Sequence, residues 1–289
     1  MQSILNRGCT VVPMARDDTV VQDSLKKQLQ AGRSVTGIMV QDLVEPVIIP
    51  LLEACGFDFV VVDREHGPAS FNQLQRLALV AKEYRIALLV RPTVGSYECI
   101  ARVMDMGADG VMVPHVDTPS QAKEVIDAVK YPPVGKRGYG MRKFLSKWGD
   151  GMPSPSYVTR ANEEIVVFIQ VETPGAVTRA SEMIEMDHVD GIIVGPADLT
   201  LNMGLQGQYQ HPRFEKHMED VLDACKEAGK HGGAHFGSAD LALSWKHRGM
   251  NILMVGNVKG LIARQGRELV TMLQDEKNTG NETGDPGIY

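Results

Sequence analysis

Five successive apolar segments of the chain end in, or lead directly to, ionisable or strongly polar side chains. These side chains are Asp63 with Glu65 and His66, Arg91, His115, Gln170 with Glu172, and Asp198. A single carboxylate after a strand is more often a helix cap than a catalytic group, and Glu172 or Asp198 could each cap the helix that follows. Independent caps would seldom recur at the same end of five strands. The recurrence therefore predicts one shared site.

Glu172 and Asp198 follow neighbouring predicted strands, so their carboxylates can face each other. Two carboxylates with open coordination positions suit a hard divalent ion such as Mg²⁺ or Mn²⁺, which keeps waters and also binds substrate oxygens. A 2-oxo acid offers two such oxygens, and the ion would polarise its keto group as a Lewis acid. The two carboxylates therefore predict a metal cofactor and a 2-oxo acid substrate.

The neighbouring residues supply the remaining roles in this hypothesis. Arg91 would hold the negative charge of an enolate, His66 would move a proton, and Asp63 would orient Arg91 or a water. The substrate carboxylate would meet backbone N–H groups in the turn formed by Gly195, Pro196 and Ala197. A Schiff-base mechanism is disfavoured, because no predicted strand ends in a lysine and Lys259 lies inside the first turn of the last helix.

The elements that must position these residues alternate between short apolar strands and amphipathic helices. The predicted strands span 35–40, 57–63, 86–92, 109–115, 164–172, 188–199 with its loop, 232–237 and 251–256. The predicted helices span 44–56, 71–84, 97–107, 119–131, about 175–186, 211–230, 239–249 and 258–274, and 132–157 is irregular. Eight such units predict a (β/α)8 TIM barrel, whose strand carboxyl ends would gather the polar residues around one rim. A doubly wound sheet is the alternative, but no GxGxxG follows the first strand.

Length and composition indicate one catalytic domain. We predict an N-terminal extension over 1–24, the barrel over 25–274, and a disordered polar tail over 275–289. The net charge of −6 argues against a nucleic-acid partner, and no apolar run is long enough to span a bilayer. The four scattered cysteines predict a reducing, cytoplasmic compartment. Two arginines with no acidic residue before Asp17 leave an organellar presequence as the alternative.

Six motifs occur in order: FDFVVVDREHGP, VRP, GADGVMVPHVDT, GKRGYG, IQVETPGA and VDGIIVGPADLTLNMG. Together they resemble the HpcH/HpaI aldolase family, the metal-dependent class II pyruvate aldolases, from about residue 25 to 272. The resemblance implies that Glu172 and Asp198 bind the divalent ion (Mg²⁺, Mn²⁺ or Co²⁺) and that Arg91 stabilises the pyruvate enolate. It further implies that Asp105 assists His66 in acid–base chemistry.

The resemblance also places Gln170 beside the bound keto acid and implies a homo-trimer or homo-hexamer whose last helix is exchanged between subunits. His115 and GKRGYG are more similar to macrophomate synthase, a relative that decarboxylates oxaloacetate, and there His115 would hold a carboxylate or an acceptor carbonyl. The GGAHFGS stretch, with His235 and Phe236, matches no family pattern and could reshape the acceptor pocket.

These features predict a carbon–carbon lyase that cleaves a 4-hydroxy-2-oxo acid to pyruvate and an aldehyde. The alternatives are an oxaloacetate decarboxylase or an enzyme that forms C–C bonds as macrophomate synthase does. A CoA-thioester lyase and a catalytically inactive binding barrel rank lower, because no basic cluster is dedicated to CoA phosphates and the site residues are intact.

Overall fold

The computed structural model describes residues 23–140 and 142–279. The predicted N-terminal extension lies outside the described residues except for Asp23 and Ser24. Of the predicted tail, the described part up to Thr279 is helical. The statements on structure that follow concern the described residues.

Eight parallel strands form a closed barrel in chain order, β1 to β8, which confirms the predicted fold. Their bounds are Val35–Val40, Phe59–Asp63, Ala87–Arg91, Gly110–Val113, Val166–Val171, Gly191–Val194, His231–Phe236 and Ile252–Asn257. Five of them, β2 to β6, are entirely buried runs of four to six residues, as expected for strands covered by helices outside and side chains inside.

Alternate residues of each strand fill the barrel interior, and this alternation extends to the polar ends. Phe59 and Val61 of β2 belong to the interior cluster, so the next inward position is Asp63. The same period brings Arg91 inward after Leu89, and the two end residues pair in register. A strand that fills the core thus also delivers its last side chain to the barrel mouth.

One glycine is required by this packing. A Cβ on Gly37 of β1 would lie 2.2 Å from the ring of Phe59, which fills the space beside it. Phe59 in turn meets Phe168 edge to face, with ring centroids 6.4 Å apart. Such a pair contributes roughly 0.5–1.5 kcal/mol beyond the burial of its area.

Twelve helices surround or extend from the barrel in the described residues. They are α1 Leu25–Gln30, α2 Ile48–Ala54, α3 Phe71–Ala81, α4 Tyr97–Asp105, α5 Pro119–Val129, α6 Ser154–Glu164, α7 Pro174–Thr178, α8 Ala180–Ile184, α9 Pro196–Asn202, α10 Pro212–Glu227, α11 Ala239–Arg248 and α12 Val258–Thr279. Side-chain caps start several of the helices that leave the mouth. Ser70 forms a capping box with Gln73, and Ser96, Thr118 and Ser238 each accept a backbone N–H.

The predicted helices were wrong in two places. The segment 132–157, predicted to be irregular, contains a 3₁₀ turn and the start of α6, whose sequence SPSYVTRANEE has too few apolar residues to show a helical stripe. The helix predicted over 175–186 is two short helices, because Arg179 leaves the helical conformation with φ −101° and ψ 10°.

The last helix, α12, contacts the barrel mainly through its first residues. Its apolar side chains beyond the first turn are more than half exposed: Ile262, Leu269, Val270, Met272 and Leu273. No described helix is both long and apolar enough to cross a membrane. The three described cysteines, Cys55, Cys99 and Cys225, are free thiols.

Candidate active site

Arg91 is anchored inside the barrel mouth by a buried carboxylate on the neighbouring strand. Its Nε donates to Asp63 Oδ1 at 2.9 Å and its NH2 to Asp63 Oδ2 at 2.7 Å. Asp63 is fully buried and also accepts from Gln41 Nε2 at 2.9 Å. Burial alone would raise the pKa of Asp63, but the hydrogen bonds and charge of Arg91 and the bond from Gln41 hold it below its usual value. These two hydrogen bonds fix the orientation of the Arg91 guanidinium.

Glu65 also belongs to the site, although the sequence motifs gave it no role. Its Oε2 lies 2.8 Å from Arg91 NH1, and its Oε1 lies 2.7 Å from His115 Nε2. Although it follows the strand in a loop, its side chain is only 7% exposed. Asp63 and Glu65 thus contact two different edges of the Arg91 guanidinium. Burial would lower the pKa of Arg91, but Asp63, Glu65 and Glu172 together raise it, so the guanidinium stays charged.

Glu172 lies almost fully buried beyond the end of β5. Its Oε1 accepts a hydrogen bond from Gln170 Nε2 at 2.6 Å. Gly195, at the end of β6, makes room for this pair, since a Cβ there would lie 2.7 Å from Glu172 Oε1 and 2.8 Å from Gln170 Nε2. Gln170 Oε1 is buried without a hydrogen-bond partner among the described residues. The close approach of two strand ends, those of β5 and β6, therefore leaves an open oxygen acceptor beside a carboxylate.

His115 lies over two of the carboxylates. Its backbone N–H donates to Glu172 Oε2 at 3.1 Å, its ring Nδ1 lies 3.0 Å from the same oxygen, and Nε2 faces Glu65. Its backbone has φ 56°, the left-handed region that non-glycine residues rarely adopt. Both ring nitrogens lie within hydrogen-bond distance of carboxylate oxygens. The strained residue is thus held by the charges of the site.

The donor set fits a divalent cation. Burial raises the pKa of Glu172 to about 7; His115 partly offsets this, and the charges of Glu65 and Asp198 add to it. His115 and Arg91 do not fully compensate this buried carboxylate and its acidic neighbours, and a bound cation would supply further positive charge. The described residues contain no group of three or more His, Cys, Asp or Glu side chains arranged to hold a metal. A pair of carboxylates with an amide oxygen nearby nevertheless matches Mg²⁺, which takes one or two protein carboxylates and keeps waters.

The two residues predicted to act together in acid–base chemistry, His66 and Asp105, lie in different parts of the barrel. His66 lines the mouth with a side chain 64% exposed, and its Nε2 lies 3.9 Å from Glu65 Oε1. Asp105 is the last residue of α4, which starts at the mouth after β3 and runs back toward the opposite end of the barrel. There Asp105 pairs with Arg137 at 2.7 Å. Within one chain the structure therefore does not bring Asp105 to His66, because a helix of the barrel ends on the face away from the site.

A cavity of about 580 Å³ lies at the barrel mouth beside His66, Arg91 and Gln170. One side is polar and is lined by Arg91, Gln170, Gly195, Pro196, Ala197 and Asp198. The other side is lined by apolar residues and by two arginines of α12: Tyr209, Phe214, Met218, Leu241, Trp245 and Leu261, with Arg264 and Arg267. His235 and Gln41 lie between the two. Phe236 also lines the cavity, although it belongs to the outer hydrophobic core. The pocket can hold a small acid at its polar side with space beyond it for a second reactant.

The family described as HpcH/HpaI aldolase/citrate lyase matches residues 39–251. A hydroxypyruvate/pyruvate aldolase of Deinococcus radiodurans is 34% identical over 269 residues, covering 91% of this chain and 94% of that protein. A 4-hydroxy-2-oxo-heptane-1,7-dioate aldolase of Salmonella dublin is 31% identical and covers 93% of this chain and 100% of its own.

Solved structures agree with the barrel. The crystal structure of an HpcH/HpaI aldolase from Desulfitobacterium hafniense superposes with a TM-score of 0.80 at 29% identity, covering 93% of this chain and 100% of that one. Macrophomate synthase superposes with a TM-score of 0.75 at 22% identity, covering 89% and 92%, and this likeness concerns the fold. The predicted resemblance is thereby confirmed.

Proposed function

The chain belongs to the HpcH/HpaI aldolase/citrate lyase family, and on that basis we propose that it is a carbon–carbon lyase acting through the enolate of pyruvate. The net reaction is cleavage of a 4-hydroxy-2-oxo acid to pyruvate and an aldehyde, or its reverse. The names of the two relatives support the reaction class. The observation that carries the proposal is the buried, doubly anchored Arg91 sharing one cavity with Asp198 and Gln170.

Glu172 and Asp198 would hold the divalent ion. Their oxygens are hard donors, and the acidic surroundings of Glu172 favour a cation. When bound, such an ion supplies Lewis-acid polarisation of a keto group. Gln170 adds an amide oxygen that is buried and without a partner among the described residues. The proposal includes Mg²⁺, Mn²⁺ and Co²⁺ as candidate ions, because all three are hard or borderline divalent cations.

Arg91 stabilises the oxygen that gains charge as the enolate forms. Asp63 takes Nε–H and one N–H of NH2, and Glu65 lies against NH1, so the remaining N–H bonds of the guanidinium are free to meet the substrate. Because Asp63 and Glu65 fix the guanidinium before substrate binds, little reorganisation is required during the reaction. The enolate charge thus forms beside a positive group that is already in place.

His66 moves the proton of the reaction. In the cleavage direction a base takes the proton of the C4 hydroxyl, the C3–C4 bond breaks, and its electron pair becomes the enolate of pyruvate. The enolate then takes a proton at C3 to give pyruvate, so that atoms and charge balance. His66 lies at the cavity with an exposed ring, which gives it access to substrate and to water.

The exposed face of α12 supports a homo-oligomer. We propose that the face formed by Ile262, Leu269, Val270, Met272 and Leu273 is covered by a second copy of the chain, in a trimer or hexamer. In such an assembly Asp105 would reach His66 only from a neighbouring subunit. The molar mass in solution tests this: a monomer at micromolar concentration would contradict it. Mixing His66→Ala with Asp105→Ala subunits should restore activity that neither has alone.

The proposed chemistry is tested by exchange of the pyruvate methyl protons in D2O, followed by ¹H NMR. Exchange should occur, stop with EDTA and return with added Mg²⁺ or Mn²⁺. Absence of exchange in a folded, metal-loaded sample would contradict enolate formation. Product analysis then separates the reactions that share this enolate. An aldolase releases pyruvate and an aldehyde from a 4-hydroxy-2-oxo acid, whereas a decarboxylase releases pyruvate and CO2 from oxaloacetate.

A further inference from the structure

His235 occupies an inward position of β7 at the level of the active site. In parallel strands, paired residues face the same side, and His235 pairs with Met254, a member of the interior cluster. Two residues earlier, Gly233 pairs with the interior residue Ile193. The alternation therefore directs His235 into the mouth and Phe236 outward into the helix-covered core. Strand β7 lies across the barrel from β3, which carries Arg91.

The ring of His235 has a defined orientation. Its Nε2 lies 2.9 Å from the carbonyl oxygen of Gly256. A carbonyl only accepts, so Nε2 carries the hydrogen and, in the neutral ring, Nδ1 carries the lone pair. Nδ1 has no hydrogen-bond partner among the described residues, and the residue lines the cavity. Burial lowers the pKa of His235, only partly offset by the Gly256 carbonyl, so the neutral ring prevails near neutral pH.

The surroundings of His235 assign it to the second reactant rather than to the keto acid. On the keto-acid side, Arg91 ends β3, Gln170 lies near the end of β5 and Asp198 follows β6. His235 is on β7, and Gln41, just after β1, also lines the cavity. Gln41 donates a hydrogen bond from Nε2 to Asp63. Its Oε1 is therefore a second acceptor beside His235. His235 and Gln41 thus offer acceptor atoms to a cavity that apolar side chains and the two arginines Arg264 and Arg267 also line.

We propose that His235 recognises the acceptor substrate by accepting a hydrogen bond at Nδ1 from a hydroxyl group, so that the enzyme prefers hydroxylated aldehydes. This inference rests on the proposed function. The aldehyde oxygen itself cannot satisfy Nδ1, because both are acceptors. A hydroxyl beside the carbonyl carbon can, and this contact places a small hydroxyaldehyde between the enolate and His235. His235 is then a specificity-determining residue and not a catalytic one.

An aldehyde that lacks the hydroxyl leaves a partly buried lone pair unpaired. Sites built to bond a substrate hydroxyl reject the analogue without it, and one such bond corresponds to roughly 5- to 100-fold in kcat/KM. The expected preference for glycolaldehyde over acetaldehyde, both condensed with pyruvate, is therefore about 10-fold, within this range. Comparing this ratio between variants cancels the intrinsic reactivity and hydration of the two aldehydes.

The experiment measures this ratio in the metal-loaded enzyme, in three variants of His235 and in one control variant. His235→Leu should lose about 10-fold of the preference. His235→Asn places an acceptor near the former Nδ1 and should keep part of it. His235→Gln keeps a donor for Gly256 but no acceptor at Nδ1, and should resemble the leucine variant. His231→Gln, at the start of the same strand, is the matched control and should keep the wild-type ratio.

The outcomes separate the two proposals. If wild-type protein exchanges pyruvate protons and makes aldol products but shows no preference for the hydroxylated aldehyde, the role of His235 is wrong and the proposed function stands. The role is also wrong if His235→Leu keeps the wild-type ratio within twofold, or if Gln preserves it as well as Asn does. If the wild type shows neither exchange nor condensation, the proposed function itself is wrong.

Discussion

Asp63 holds Arg91 through two nearly parallel hydrogen bonds, of 2.9 Å to Nε and 2.7 Å to NH2, across the last register pair of β2 and β3. Such two-point contact fixes the plane of a guanidinium as well as its position. Both residues are buried, so the contact is little weakened by water. The orientation of Arg91, the proposed enolate-stabilising group, therefore depends on a residue that need not touch substrate.

We predict that Asp63→Asn lowers kcat/KM about 10- to 100-fold, because it replaces a charged two-point acceptor with an amide that can accept only at one atom. Steady-state cleavage of a 4-hydroxy-2-oxo acid measures the effect. Asp58→Asn is the matched control: Asp58 lies at the other end of the same strand and accepts the Thr36 N–H. Equal losses in both variants would mean that Asp63 acts through stability alone.

Arg91→Ala should cost more, about 10²–10³ in rate, because it removes the donors themselves. If Asp63 acts through Arg91, adding Asp63→Asn to Arg91→Ala should cost little further activity, and a double-mutant cycle measures this coupling. Additive losses would show that Asp63 has a role apart from Arg91.

Much of this constellation could be predicted because a strand has a period of two. Buried valines up to Asp63 and leucines up to Arg91 indicate strands whose last residues enter the mouth, and barrel topology then gathers them. Glu65 could not be assigned in this way, since it follows the strand in a loop. Only the folded loop shows its carboxylate turned inward against Arg91.

The position of Asp105 shows a second limit of sequence reasoning. A motif reports which residues occur together in a family but not whether they meet within one chain, and α4 carries Asp105 away from the mouth. His235 shows the opposite case. Its strand was predicted. However, Gly232 and Gly233 precede His235 in that strand and interrupt the alternation of side chains that reveals an inward position.

Gly195→Ala should impair the site while leaving the barrel folded. The new Cβ would lie 2.7 Å from Glu172 Oε1, so that side chain and Gln170 must move. We expect kcat/KM to fall at least about 10-fold, since small misplacement of site groups is costly, with a nearly unchanged melting temperature. Gly138→Ala is the control, because its Cβ would meet only the Tyr97 hydroxyl at 3.6 Å. Wild-type activity in Gly195→Ala would show that the site tolerates displacement of Glu172 and Gln170.

Metal binding can be measured apart from turnover. Titration with Mn²⁺ followed by electron paramagnetic resonance should show one site per chain, which Glu172→Gln or Asp198→Asn weakens at least about 10-fold, because each removes one of two anionic ligands. Asp127→Asn, on the outer surface and paired with Lys136, should bind Mn²⁺ as the wild type does. Unchanged affinity in both site variants would place the ion elsewhere.

Lys130 predicts an unusual dependence of stability on pH. Burial lowers its pKa to about 7, while Nζ donates to the carbonyl oxygens of Asn162 at 2.9 Å and Ile165 at 2.6 Å. The unfolded chain binds this proton up to pH about 10.5. Between pH 7 and 10.5 the unfolded state therefore holds more protons, and the free energy of unfolding contributed by this group rises with pH by up to about 1.4 kcal/mol per unit.

Below pH 7 both states are protonated and this contribution no longer changes. The control is Lys130→Met, which leaves two carbonyls unpaired and is expected to be less stable overall, but which should lack the rise between pH 7 and 10. Urea unfolding across that range compares the two slopes. Parallel curves would mean that the two carbonyls hold Lys130 fully charged in the fold, with its pKa close to that of the unfolded chain.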